Sequence, residues 1–158
     1  MKRVMAVMGA VAMLFVAANA FAQAKTDFSG KWTPDAAAQP PAGGGGGGRG
    51  GFAAGPMTIT QTATELTIER ETPNGAQKTT YKLDGSTSEI TMGQGTAKAK
   101  ATWDGAKLKI ETTREGQNGT TTTTAVYSIE GGKLTVATTA PGRNGGEPTT
   151  RTATYTKG

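Results

Sequence analysis

The chain has 158 residues, 24 of them glycine, with no cysteine, no histidine and a formal net charge of +5. Lacking cysteine it has no disulfide framework, thiol nucleophile or lipid-modified N-terminal cysteine, and lacking histidine it forgoes the usual general base and most zinc sites. Its 17 Lys and Arg residues are dispersed along alternating segments rather than clustered into the patch that nucleic acid demands, so no nucleic-acid partner is expected.

Residues 1–24 read as a secretory leader. Lys2 and Arg3 precede an apolar run from Val4 to Val16, and Ala22-Gln23-Ala24 supplies the small-residue cleavage pattern, with Ala18-Asn19-Ala20 as the alternative site. The apolar run falls short of the ~20 residues that cross a bilayer. The expected mature protein is therefore exported, to the periplasm or the extracellular space, and is not membrane-embedded. Loss of Lys2 and Arg3 lowers the net charge to +3, and 158 less 24 leaves 134 residues, a length that suits a single domain over 25–158.

The mature chain opens with Asp27 to Trp32, a short strand carrying Phe28, Gly30 and Trp32 on one face. From Thr33 to Pro56 the pattern gives way to Ala, Pro and Gly, with Gly43 to Gly48 unbroken. Such a stretch buries little and loses much entropy on ordering, so a flexible loop inside the domain is expected at 33–56. It lacks the Lys-Ser/Thr and the helix of a phosphate-binding loop, and one Arg49-Gly50-Gly51 unit does not make an RNA-binding repeat.

A hairpin template then appears four times. Met57–Gln61 with Leu66–Arg70 is the first, and Thr79–Leu83 with Ser88–Met92 the second. The third runs from Lys98 to Thr113 around Asp104-Gly105, and Thr123–Ile129 with Leu134–Thr138 is the fourth. Their tight loops begin at Thr62, Asp84, Asp104 and Glu130, spacings of 22, 20 and 26 residues, too short for propeller blades of ~40. In the third hairpin a four-residue loop, Asp104 to Lys107, sets Trp103 opposite Leu108 and Lys100 opposite Glu111, while a two-residue loop is expected to shift the pairing by two and keep the faces.

Longer Gly/Asn connections are expected at the other end, at Thr72–Gly75, Gly93–Gly95, Glu115–Gly119 and Pro141–Pro148. The last strand spans Thr149 to Lys157. The predicted fold class is thus all-β, an antiparallel up-and-down meander of 8–10 strands. Closure into a barrel removes exposed edges and is preferred over a sandwich, the alternative. Outward positions such as Thr58, Thr60, Glu69, Lys107, Lys109 and Thr135 make a wet outer wall, unlike the apolar belt of an outer-membrane barrel.

Phe28-Ser29-Gly30-Lys31-Trp32 at the head of such a meander resembles the opening of the calycin superfamily, which includes lipocalins, fatty-acid-binding proteins and avidins. It is also similar to small exported bacterial proteins that begin F-S-G-x-W and repeat W-D-G-x-x-L hairpins. Ten strands with a special segment between the first two resemble fatty-acid-binding proteins in particular, although here that segment is Gly-rich where the family has a helical lid. The resemblance implies a lipocalin-like barrel in which Gly30, Trp32 and Trp103 are structural. Gly30-Lys31-Trp32-Thr33 also looks like avidin, but Trp32 and Trp103 are the only tryptophans, too few to match the aromatic wall of a biotin site.

No catalytic constellation emerges. Asp84 and Asp104 serve turns, Glu69, Glu89 and Glu111 alternate outward, and neither a metal nor a cofactor is called for. Asn118-Gly119-Thr120 matches a glycosylation acceptor and is more simply a turn. Inward at the tight-turn end, Trp32, Trp103, Leu66, Leu83, Leu108, Ile129 and Leu134 are expected to form a plug. Farther along the same parity Ile68 gives way to Arg70, Ile110 to Thr112 and Arg114, Val136 to Thr138, and Tyr155 to Arg151. These five residues, Arg70, Arg114, Arg151, Thr112 and Thr138, are the candidate ligand-binding set, with Arg70 and Arg151 expected to meet an anionic head group. The competing expectation is that they fray into solvent at strand ends.

Two functions fit. One is a non-enzymatic exported protein that binds a small amphipathic, anionic ligand inside the barrel. The alternative is an envelope structural or interaction protein with a packed barrel and no internal ligand. The sequence does not set the oligomeric state.

Overall fold

The computed structural model describes residues 25–35, 55–72, 75–92, 95–116, 119–142 and 146–158. The expected leader and most of the expected Gly-rich loop lie outside the described residues.

Ten strands form one antiparallel sheet: β1 (Gly30–Pro34), β2 (Met57–Gln61), β3 (Glu65–Thr72), β4 (Gly75–Lys82), β5 (Thr87–Met92), β6 (Gly95–Asp104), β7 (Lys107–Gly116), β8 (Gly119–Glu130), β9 (Lys133–Ala140) and β10 (Thr149–Lys157). Their order is β4-β3-β2-β1-β10-β9-β8-β7-β6-β5. The first strand pairs with the last, Trp32 opposite Lys157 and Pro34 opposite Tyr155. That pairing curls the meander into a barrel rather than splitting it into a sandwich, the architecture expected because closure covers exposed edges.

Closure stops one ladder short. The strands at the two ends of the order, β4 and β5, follow one another in the chain, yet side chains replace the ladder between them. Ser88 Oγ accepts the Lys82 N–H at 2.9 Å, and Gln77 Nε2 reaches the Thr91 carbonyl at a long 3.5 Å. A hydroxyl that takes a backbone N–H near the turn leaves no carbonyl-to-amide ladder to propagate, so a slot persists between the two edges.

The core follows from parity. Leu66, Leu108 and Leu134 are fully enclosed, with Ile59, Ile68, Ile110, Val136 and the run Ala97, Ala99, Ala101 beside them. The third hairpin resolves the loop-length question. Trp103 stands opposite Leu108, Ala101 opposite Ile110, Lys100 opposite Glu111, and Asp104 pairs with Lys107. The turn proper is therefore Gly105-Ala106, and this two-residue loop keeps the pairing expected of the four-residue one rather than shifting it by two, because Asp104 and Lys107 join the ladder. Gly105 has φ 61°, which both primed hairpin turns require at their first central position.

Three expectations need correction. The connections expected to be longer at Thr72–Gly75, Gly93–Gly95 and Glu115–Gly119 are tight, because Thr72 pairs with Gly75, Met92 with Gly95 and Gly116 with Gly119; Gly75 and Gly119, both at φ 106°, let the chain reverse there. The first strand starts at Gly30, not Asp27, since the Phe28 N–H is taken by Gln61 Oε1 at 3.0 Å instead of a ladder carbonyl. Trp103 is only half-buried, because it caps the closed end and stacks on Phe28, ring centroids 6.0 Å apart.

That closed end is sealed by residues 25–29. Phe28 is 0% exposed, lying against Trp103 and edge-on to Tyr127 at 6.2 Å. The Trp32 indole N–H donates to the Phe28 carbonyl at 2.8 Å, and Thr26 Oγ1 donates to the Ala106 carbonyl at 2.7 Å.

Just past β1, Asp35 ties three strands together. Its N–H donates to the Thr154 carbonyl at 2.9 Å, Lys133 Nζ donates to Oδ2 at 2.8 Å and Thr156 Oγ1 to Oδ1 at 2.6 Å. The Lys133 hydrogen bond, then that from Thr156, holds the Asp35 carboxyl below its usual range. A carboxyl depressed on folding stabilises above its unfolded value of about 3.9 and loses that contribution as pH falls through the lower folded value. Asp35→Asn should therefore flatten the loss of stability below about pH 4 in chemical unfolding followed against pH; an unchanged acid limb would show the clamp to be inert.

Candidate functional site

Among the described residues the interior carries an arginine that the apolar core does not explain. Arg70 follows Ile68 on the inward parity of β3, and it shares one cavity with Tyr127 on β8 and Tyr81 on β4, close enough for its charge to act on both hydroxyls. Tyr127 is 3% exposed and Tyr81 on β4 is 5% exposed. With Tyr155 on β10, all three tyrosines of the chain point inward.

Burial pushes both the Tyr81 and Tyr127 hydroxyls up from the ordinary tyrosine value. Tyr127 adds to the rise at Tyr81 and Tyr155 to the rise at Tyr127, and the Arg70 charge opposes both without overcoming burial. Near neutral pH these hydroxyls are protonated donors beside a fixed positive charge. Such a cluster favours an anion, because a carboxylate accepts from guanidinium and phenol together.

A cavity of about 40 Å³ lies against this group, lined by Ile68, Arg70, Gln77, Thr79, Tyr81, Ile90, Met92 and Tyr127. Five of its lining residues belong to the two slot edges: Gln77, Thr79 and Tyr81 on β4, Ile90 and Met92 on β5. A second depression of about 340 Å³ sits at the same end of β5 and β6, beside the Gly95 turn and the end of β7, and includes Arg114 with Glu89, Glu115 and Lys98.

The candidate set is thus divided. Arg70 lines the inner cavity. Arg114 is half-buried in the second depression among carboxylates. Thr112 is buried opposite Ala99 and Thr123, and Thr138, half-buried, pairs with Arg151; neither threonine lines the inner cavity. Arg151 is exposed rather than directed at a shared head group. The β1–β10 ladder covers only Tyr155 to Lys157, so among the described residues β10 has β9 on one side alone at Arg151, whose side chain turns to solvent. Reading inward parity as burial missed this, and it also missed Tyr81, Tyr127, Gln77 and Met92.

Among solved structures the same architecture recurs. Zebrafish ileal bile acid-binding protein, complexed with cholic acid, aligns over 83% of this chain and 98% of its own, with TM-score 0.57 and 21% identity. A secretory abundant heat soluble protein from Ramazzottius varieornatus aligns over 86% and 98%, with TM-score 0.59 and 17% identity. Fatty-acid-binding protein 1 of Echinococcus granulosus aligns over 82% and 96%, with TM-score 0.57 and 15% identity. The fold is calycin-like, an antiparallel up-and-down barrel. No protein-family model matches the sequence, and no curated protein matches it either. The likeness lies in ten strands curled in a meander around a largely apolar core. Among the described residues no group of three or more His, Cys, Asp or Glu is placed to hold a metal, and no helix is long and apolar enough to cross a membrane.

Proposed function

We propose that this calycin-like barrel is an exported, non-enzymatic, single-domain binding protein that takes the head group of a small anionic amphiphile on Arg70. The observation that carries the proposal is the Arg70 guanidinium beside the protonated Tyr127 and Tyr81 hydroxyls at a cavity that reaches the barrel wall. Bile acid and fatty acid, named for two barrels of the same fold, are carboxylates with apolar bodies, which is the chemistry this cluster would recognise.

Titration with a fluorescent fatty-acid analogue tests it. Saturable binding to the wild type is expected, with Arg70→Gln weakening it about tenfold or more, since a hydrogen bond to a charged group contributes roughly 1.5–3 kcal/mol. Equal affinity in both proteins would remove the head-group site. Export carries its own test: N-terminal sequencing of secreted protein should begin at Lys25, and retention of Met1 would overturn the localisation.

A packed barrel that acts through its outer wall is the second reading, favoured by the small cavity. About 40 Å³ holds a few waters, well short of the roughly 300 Å³ at which small-molecule pockets begin. No saturable binding in the titration would leave this reading ahead.

A further inference from the structure

We propose that the depression beside the Gly95 turn is a second binding site, which takes a small zwitterion bearing one free ammonium and one free carboxylate, the chemistry of an α-amino acid or a short peptide. This inference stands apart from the head-group reading on Arg70 and uses none of its residues. At about 340 Å³ the depression passes the roughly 300 Å³ at which small-molecule pockets begin, whereas the cavity on Arg70 does not.

Its walls carry two carboxylates, Glu89 and Glu115, and two cations, Lys98 and Arg114. Among the described residues none of the four belongs to an ion pair. Strand register sorts them into two poles. Glu89 stands opposite Lys98 and Lys98 opposite Thr113, all with outward parity, and Glu115 follows Thr113 by two residues on the same face, diagonal to Lys98. The outward pole therefore sets two carboxylates against one ammonium and has an excess of negative charge. Arg114 takes the opposite parity and is half-buried. Its Nη2 lies 3.6 Å from the point where a Cβ on Gly95 would stand, and glycine has no side chain to cover the guanidinium there. That end of β6 is the positive pole.

A ligand of one sign meets a like charge at one pole, whereas a zwitterion is complemented at both. Its carboxylate can take the planar fork of Arg114 through two parallel hydrogen bonds. Its ammonium donates three ways and can be shared by Glu89 and Glu115. Thr96, exposed next to Gly95, adds a hydroxyl that both donates and accepts.

The test follows backbone amide shifts of isotope-labelled protein by NMR during titration with alanine and with trialanine. Saturable shifts are expected at Gly95, Thr96, Lys98 and Thr113, and the tighter ligand of the two identifies the source as amino acid or peptide. Acetylating its ammonium and amidating its carboxylate should each weaken binding about tenfold. Glu89→Gln combined with Glu115→Gln should erase the effect of acetylation and keep that of amidation, and Arg114→Gln should do the reverse. Equal affinity for free and doubly blocked ligand, blocking effects that these substitutions leave unchanged, or no saturable binding of either compound would overturn the site. Shifts confined to the residues around Arg70 would overturn it too.

Discussion

Phe28→Ala is expected to destabilise the barrel by about 3 to 5 kcal/mol, the range for removing a large core aromatic. Phe28 is 0% exposed although it belongs to no strand, and its ring joins Trp103 on one side to Tyr127 on the other. Its carbonyl also receives the Trp32 indole N–H. Alanine keeps that carbonyl but leaves a cavity at the centre of the closed end, where Leu66, Leu108 and Leu134 are held by strand geometry and cannot collapse into it. Thr102→Ala, on the outer face of β6, should cost under about 1 kcal/mol. Denaturant midpoints decide between them; a Phe28→Ala midpoint close to that of Thr102→Ala would show that residues 25–29 lie on the barrel without sealing it.

Phe28 also marks how far the sequence can be read. Its burial was legible from the apolar pattern of Phe28, Gly30 and Trp32, whereas its place outside β1 was not. Only the Gln61 side chain, 33 residues on, explains where the Phe28 N–H goes. Alternation in the four hairpins revealed the strands and most inward faces, because a period of two is written into each strand separately. Pairing of β1 with β10, and the slot between β4 and β5, depend on which strands meet after the sheet curls, and no local pattern encodes that.

The candidate site divides along the same line. Arg70 was found by parity, since it continues Leu66 and Ile68 on β3. Arg151 shares the inward parity of Tyr155 on β10 yet is exposed, because burial also needs a neighbouring strand and β1 ends too soon to provide one. Tyr127 could have been found by counting back from Ile129 on the same parity. Its meeting with Arg70 could not, because the stagger of strands around the barrel decides which inward residues face each other. Met92 and Gln77 gained their place only from the missing ladder beside them.

The seal at the closed end makes a second prediction, on a residue with no apolar surface of note. Gln61 ends β2, and its side-chain amide is used twice: Oε1 accepts the Phe28 N–H at 3.0 Å, and Nε2 donates to the Thr26 carbonyl at 2.9 Å. Its own N–H donates to Ser29 Oγ at 3.1 Å. One glutamine thus does for residues 26–29 what a neighbouring strand does elsewhere, satisfying backbone groups that burial of Phe28 would otherwise orphan. Gln61→Ala removes both side-chain bonds and should cost about 2 to 4 kcal/mol, since each part-buried group left unsatisfied costs roughly 1–3 kcal/mol. Because the bonds matter only while Phe28 is seated, Gln61→Ala and Phe28→Ala should be strongly non-additive in a double-mutant cycle. Additive losses, with hydrogen exchange at residues 26–29 as slow in Gln61→Ala as in the wild type, would show that ring packing alone holds the segment.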